Sequence, residues 1–310
     1  MSRTALIVCL HACVFYPAAC LAQRTVSPAA YTTPAPPATA QTVTFQRRAP
    51  EIGDQVEQTF NVTLELTSMV RQNNQILEKS KNALLRTQRR VVTTTHVANG
   101  VPVAVMVRYA EAGKQIATGP ADGQLSAPKS VAQPVQGKVY RVSRDGDALL
   151  IKDEQGAIPP LDEYEIVALN MESLGRPNPL ADFLAGQSIA LGQTVELPAA
   201  VAEKLMGLGG DLGKVTRFSI TLQRIAAVQG RRCAVFQSSI EAESIDSSQM
   251  RLAVDGPMAI ELDTCRAVEA NFVGPIGMSE TRGSLSATYQ MTGTGKMTVT
   301  IASKYSDVTR

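Results

Sequence analysis

The 310-residue chain contains no tryptophan, only two histidines, and 5% aromatic residues. Scarce histidine narrows the chemistry first. A Ser-His-Asp or Cys-His site would have to be built on His96, because His11 falls in an apolar N-terminal stretch. His96 sits in Thr93-Thr94-Thr95-His96-Val97 beside Asn99-Gly100 and reads as a surface residue of a strand or turn. Zinc sites that draw on several histidines are excluded, and no G-x-S-x-G elbow is present. Gly295-Lys296 lacks phosphate-loop spacing, since Gln290 stands where the first glycine belongs and Met297 follows the lysine. Asp145-Gly146-Asp147 lacks the further ligands and closing glutamate of a calcium loop. No catalytic residue, metal ligand or cofactor motif is therefore assigned. Missing tryptophan also weighs against sugar stacking. This bears on the one acidic stretch, Asp153, Glu154, Asp162, Glu163 and Glu165, which has no basic residue within it. A carboxylate-based hydrolase using that stretch is the alternative reading; a solvated acidic loop is the preferred one.

Charge of one sign is lacking too. Thirty basic residues face 28 acidic ones; without Arg3 the balance is 29 to 28, so no global field attracts nucleic acid. One local run departs from this. Arg71, Lys79, Lys81, Arg86, Arg89 and Arg90 face only Glu78 in their window. The run has no aromatic residue to stack on bases. Its natural partners are the acidic 153–165 segment or anionic lipid headgroups.

Three of the five cysteines, Cys9, Cys13 and Cys20, lie within the first twenty residues. Arg3, the apolar stretch Ala5–Tyr16 and Cys20-Leu21-Ala22 have the order of an export signal, giving residues 1–22 as a leader too short to span a membrane. Pro17-Ala18-Ala19-Cys20 resembles a bacterial lipobox, with Pro17 where leucine is usual, and would make Cys20 a lipidation site. No later stretch is long and apolar enough to span a membrane. Residues 23–50, rich in Pro, Ala and Thr, read as a disordered tether.

The remainder, 51–310, alternates with a period of two and is divisible at about residue 174. Phe60, Val62, Leu64 and Leu66 mark one strand; Val91–Val97 and Val101–Tyr109 flank an Asn99-Gly100 turn. Lys138–Ser143 and Asp147–Lys152 flank Asp145-Gly146. Glu163–Met171 and Gln187–Val195 read as strands, 119–137 as a long loop, and 72–88 as either a helix or a polar connection. Asn178-Pro179 with Gly186, and Pro198 with Gly209-Gly210, bracket two short helices that lid the sheet. Beyond Val215, hairpins are expected at Asp255-Gly256 and at Thr292-Gly293-Thr294-Gly295. Odd-numbered Cys233 and Cys265 share one strand parity, from which a disulfide is expected. Even-numbered Met250, Leu252, Met258, Ile260 and Phe272 form an apolar face that either packs as core or holds an apolar ligand.

This order of leader, tether and strand-rich domain resembles uncharacterised bacterial secreted or lipoprotein-like envelope proteins. At the level of fold it is similar to the periplasmic lipoprotein carriers, whose curved sheets hold acyl chains. The strand alternation and the bracketed helices together predict a mainly β chain, an antiparallel curved sheet or open half-barrel with two or three short helices. The resemblance implies an exported, non-catalytic envelope module whose partner is an envelope protein or a lipid.

Overall fold

Alternating polar and apolar side chains run through most of the chain and build a sheet with two unlike faces. The computed structural model describes residues 41–73, 75–206, 214–244, 248–284 and 287–307. Its first half contains β1 (Thr42–Thr44), β2 (Gln55–Gln72), β3 (Gln75–Ala98), β4 (Val101–Pro120), β5 (Lys129–Ala132), β6 (Val139–Asp145), β7 (Ala148–Asp153) and helix α1 (Leu161–Asn170). The second contains α2 (Pro179–Leu184), β8 (Ser188–Ala190), β9 (Thr194–Glu196), α3 (Ala199–Met206), β10 (Lys214–Val228), β11 (Arg231–Glu243), β12 (Ser248–Glu261), β13 (Ala267–Ser284) and β14 (Ala287–Ser306). Twelve strands form one sheet ordered β7-β6-β4-β3-β2-β14-β13-β12-β11-β10-β9, with β5 on β4; β1 and β8 make a separate ribbon. The pairings are antiparallel, and the sheet is open at β7 and β9.

Most neighbours are consecutive in sequence. The exceptions are β4 and β6, which pair across β5, and the seam between the halves, where β2 and β14 pair from Gln55↔Ser306 to Gln72↔Tyr289. Asn99 and Gly100 both take positive φ, 51° and 74°, and close the β3–β4 hairpin as expected.

One face of the sheet is apolar. Phe60, Val62 and Leu64 continue into Met297 and Val299, then Phe272, Met258, Phe236 and Phe218. Leu180 and Leu184 of α2 and Ala202 and Leu205 of α3 cover this cluster. A second cluster joins Val107, Tyr109, Tyr140 and Ile151 to Ile166 and Val167 of α1. Leu84 packs on the first cluster and Val92 on the second. Their equal parity along β3 places both clusters on one face. The opposite face carries half-exposed threonines such as Thr63, Thr298 and Thr300, and a small cluster of Cys233, Val235, Ala259 and Val268.

Several expectations are corrected. Residues 75–98 are one 24-residue strand, not a helix or a connection. Residues 161–170 are helix rather than strand: Pro160 precedes them, Asp162 and Glu163 occupy the first turn, and Glu163, Ile166, Val167 and Asn170 make a buried stripe at helical spacing. The 187–195 stretch splits into β8 and β9 around a turn at Gly192. β4 takes up the start of the expected 119–137 loop, and β5 lies within it. The tether is shorter than its composition implies, because β1 pairs with β8 and Phe45, 1% exposed, stacks on Phe236 at 6.1 Å. Asp255-Gly256 and residues 292–295 lie within β12 and β14 and turn nothing. Residues 1–22, Leu208 and Gly209-Gly210 lie outside the described residues.

Candidate functional site

The helical layer has a gap. α1 packs on the first-half cluster and α2 and α3 on the second-half cluster, and the seam lies between them. A cleft of about 390 Å³ opens there, within the roughly 300–1,000 Å³ range of small-molecule sites. Its apolar walls come from Val56, Val92, Val105, Ala270 and Ile301 on the sheet and Met171 and Leu174 after α1. Five arginines line it, Arg47, Arg48, Arg90, Arg176 and Arg266, against two carboxylates, Asp54 and Glu269.

Each arginine is positioned by a different element. Arg90 of β3 is 7% exposed; its Nε and Nη2 donate to Gln58 Oε1 at 3.0 and 2.7 Å, and Nη1 donates to the Asn170 carbonyl at 3.3 Å. Asn170 at the end of α1 donates in turn to the Tyr109 hydroxyl at 3.0 Å. Arg48 and Arg266 share two carboxylates. Arg48 is 3.2 Å from Asp54 and 2.6 Å from Asp307; Arg266 is 3.2 Å from Asp54 and 2.5 Å from Asp307. Arg231, 2.8 Å from Asp307 and 2.7 Å from Glu261, completes the network. The guanidinium carbons of Arg231 and Arg266 lie 5.4 and 5.0 Å from the Tyr305 ring centre. Burial works to raise the Asp307 carboxyl, but hydrogen bonds from Arg231 and Arg266 outweigh it and hold it below the ordinary range. Arg47, on the N-terminal segment, lines the cleft and pairs with Asp182 of α2.

The expected apolar face is not this cleft. Leu252, Met258, Ile260 and Phe272 are 0–6% exposed and packed in the main cluster. Met250 is half-buried nearer the far end of β12. That face is core, because α2 and α3 already fill it.

Cys233 and Cys265 are both buried and carry no bond to each other in this structure. Strand parity holds only inside strands. Cys265 lies in the loop after β12, at φ 54°, and donates from Sγ to the Gln46 carbonyl at 3.1 Å within the main cluster. Cys233 belongs to the small cluster on the opposite face. Burial pushes both thiols up to about 11. Cys20 lies outside the described residues.

Alternation along β3 also divides the basic run. Arg86 and Arg90 point inward and are 5% and 7% exposed. Lys79, Lys81 and Arg89 take the outer face, with Arg71 on β2. Arg89 pairs with Glu57 at 3.3 Å and Lys79 with Asp122 at 3.5 Å, not with the acidic 153–165 segment. Within that segment Glu163 is internal. It accepts from Lys138 Nζ and the Tyr140 hydroxyl, each at 2.6 Å. Burial works to raise its pKa, and these two donors more than offset it, so Glu163 sits below the ordinary carboxylate value. Asp153 accepts from the Ala157 amide at 2.8 Å in a turn. Neither lines the cleft. His96 is exposed on β3.

Sequence reasoning missed the cleft because its walls come from the N-terminal segment, β2, β3, β4, β13, β14 and the stretch after α1. The one available signal was the arginine pair Arg47-Arg48 in a segment otherwise read as a tether.

No family model and no curated protein matches the chain. Among solved structures it is similar to lipovitellin, in a structure concerned with lipid–protein interactions, at 10% identity and a TM-score of 0.40. That match covers 84% of this chain and 26% of the other, so the chain spans about a quarter of the lipovitellin chain. A second likeness, to an acetoacetate decarboxylase-like enzyme from Sphingomonas wittichii RW1, has 10% identity and a TM-score of 0.11, covering 84% of this chain and 94% of that one. Both scores are too low for fold or function to be read across.

Proposed function

We propose that the chain is an exported, non-catalytic binding module of the cell envelope whose seam cleft holds an amphipathic ligand with an anionic head. One observation carries this reading: a cleft with apolar sheet walls lined by five arginines, of which Arg48 and Arg266 already meet Asp54 and Asp307, Arg47 meets Asp182, and Arg90 is held by Gln58 and the Asn170 carbonyl. Apolar walls favour an alkyl chain at about 25 cal/mol per Å² buried. Guanidinium groups donate in a planar fork that suits carboxylate or phosphate oxygens. Export is supported by Arg3, Ala5–Tyr16 and Cys20-Leu21-Ala22 in leader order. Lipidation at Cys20 rests on the lipobox-like Pro17-Ala18-Ala19-Cys20 and would tether the module to a membrane.

The test is calorimetric titration with dodecyl phosphate and with dodecanol, which share an alkyl chain. The phosphate is expected to bind at least about tenfold more tightly, a difference of about 1.4 kcal/mol. Val101→Trp, at the cleft wall, is expected to abolish binding of both, and Arg90→Gln to erode the preference for phosphate. Equal affinity for the two compounds removes the anionic-head reading. Binding undisturbed by Val101→Trp removes the cleft.

A further inference from the structure

The β2–β3 hairpin ends far from the helices, and its tip displays apolar side chains that nothing among the described residues covers. Ile76 and Leu77 are 56% and 53% exposed, and Tyr289 on adjoining β14 is 37% exposed. The register places these residues at one end of the sheet, Ile76 on the face of Arg71 and Tyr289 on the opposite face with Gln72. Ile76 lies opposite Arg71, Gln75 opposite Gln72, and Tyr289 opposite Gln72 from the other side. A ladder of polar side chains would have sufficed for a solvated turn. Two consecutive large aliphatic residues at a strand end instead cost solubility unless they are used.

The charges beside them are mostly basic. Arg71 faces Ile76, and Lys79 and Lys81 follow two and four residues behind Leu77 on the outer face. Glu78 is the only acidic residue between Arg71 and Lys81. The pairing of Lys79 with Asp122 is loose, at 3.5 Å, and Asp122 is 90% exposed. No described helix is long and apolar enough to cross a membrane.

We propose that this tip is a docking surface for an anionic lipid bilayer: Ile76 and Leu77 enter the interface, and Arg71, Lys79 and Lys81 meet the headgroups. Charge complementarity selects the occupant. A protein groove would take the aliphatic pair without a basic collar, whereas an anionic leaflet uses both. The site is separate from the seam cleft, since none of these residues lines it.

The experiment uses protein carrying Cys20→Ser, which removes any acyl anchor. Co-sedimentation is measured with vesicles of phosphatidylglycerol and phosphatidylcholine and with phosphatidylcholine alone. Binding is expected only to the anionic vesicles. It should fall about fivefold per charge in Lys79→Gln/Lys81→Gln and weaken with added salt. Ile76→Ser/Leu77→Ser should lower it by about tenfold or more. The natural chain has no tryptophan, so Leu77→Trp supplies a single reporter. Its emission should shift to the blue on anionic vesicles and be quenched by brominated acyl chains. Equal binding to neutral vesicles, unchanged binding in both variants, or no emission shift overturns the proposal. So does a dimer that Ile76→Ser/Leu77→Ser dissolves in the absence of lipid affinity, which would assign the tip to a second copy.

Discussion

Glu163 shows how one side chain ties an element to the sheet. It is 7% exposed on the inner side of α1 and takes hydrogen bonds from Lys138 and Tyr140 just before and within β6. Tyr140 meets Tyr109 edge-on at 6.0 Å, and Tyr109 accepts from Asn170 at the other end of α1. The helix is thus held at both ends by buried polar contacts. The folded pKa of Glu163 lies below the ordinary carboxylate value. Its contribution is therefore complete above the unfolded pKa, about 4.3, and is lost as pH falls through the folded value. Glu163→Gln is expected to destabilise the protein by about 1.5–3 kcal/mol at neutral pH, the worth of hydrogen bonds to a charged group. The gap should narrow below the unfolded value and close once pH falls below the lowered folded value, where the natural residue is neutral as well. Urea midpoints at a series of pH values measure this, and a gap independent of pH would contradict it. Glu163 was legible from sequence only as a member of an acidic stretch. Its role depends on Lys138 and Tyr140, which come from another element, and no local pattern announces that.

At the scale of elements, alternation was readable and its interruptions were not. β2, the β3–β4 turn, the β6–β7 hairpin and the Asn178 cap were all legible. The Asn178 side chain accepts from the Leu180 and Ala181 amides at 3.0 and 3.3 Å, the geometry its position implies. Asp255-Gly256 misled because its turn chemistry is genuine but outweighed. Gly256 sits opposite Ser238 and Pro257 opposite Gln237, mid-ladder in β12. Glycine is needed there for a different reason. A Cβ at Gly256 would lie 1.8 Å from the Asn271 carbonyl oxygen, and one at Gly274 would lie 1.9 Å from that of Ala253. The two glycines let β12 and β13 approach more closely than side chains allow. Gly274→Ala should therefore cost on the order of 3 kcal/mol, the upper part of the overpacking range. Gly277 on the same strand has nothing within 4 Å of the Cβ position. Gly277→Ala should be neutral or stabilising by about 0.5–1 kcal/mol, since alanine has less backbone freedom to lose. Thermal unfolding of the pair tests the argument, and equal losses would mean that close approach is not what keeps Gly274. The α1 segment failed for the converse reason. Its β-branched Ile166 and Val167 suggest a strand, yet Pro160, Asp162 and Glu163 are start signals for a helix.

The whole molecule depends on the seam. The division expected from the sequence near residue 174 falls within one continuous sheet. β2 and β14 form an unbroken ladder over 18 residues of β2, and the cleft lies across it. Separated, each half would present a long strand edge with unpaired amides and carbonyls beside an apolar face, a surface that aggregates. The pairing also joins residues at opposite ends of the described chain, Gln55 with Ser306, so it cannot form until both halves are largely arranged. Fragments 41–174 and 175–307 are therefore expected to be poorly soluble and to lack a cooperative transition when expressed singly. Expressed together, they should assemble one-to-one, with the thermal transition and dodecyl phosphate binding of the intact chain. Cooperative folding of either fragment alone as a monomer would make the halves true domains and the seam a contact surface. Recovery of ligand binding by one fragment alone would move the site away from the seam. Reassembly with recovered binding would show that closing the β2–β14 ladder completes the fold and forms the cleft in a single step.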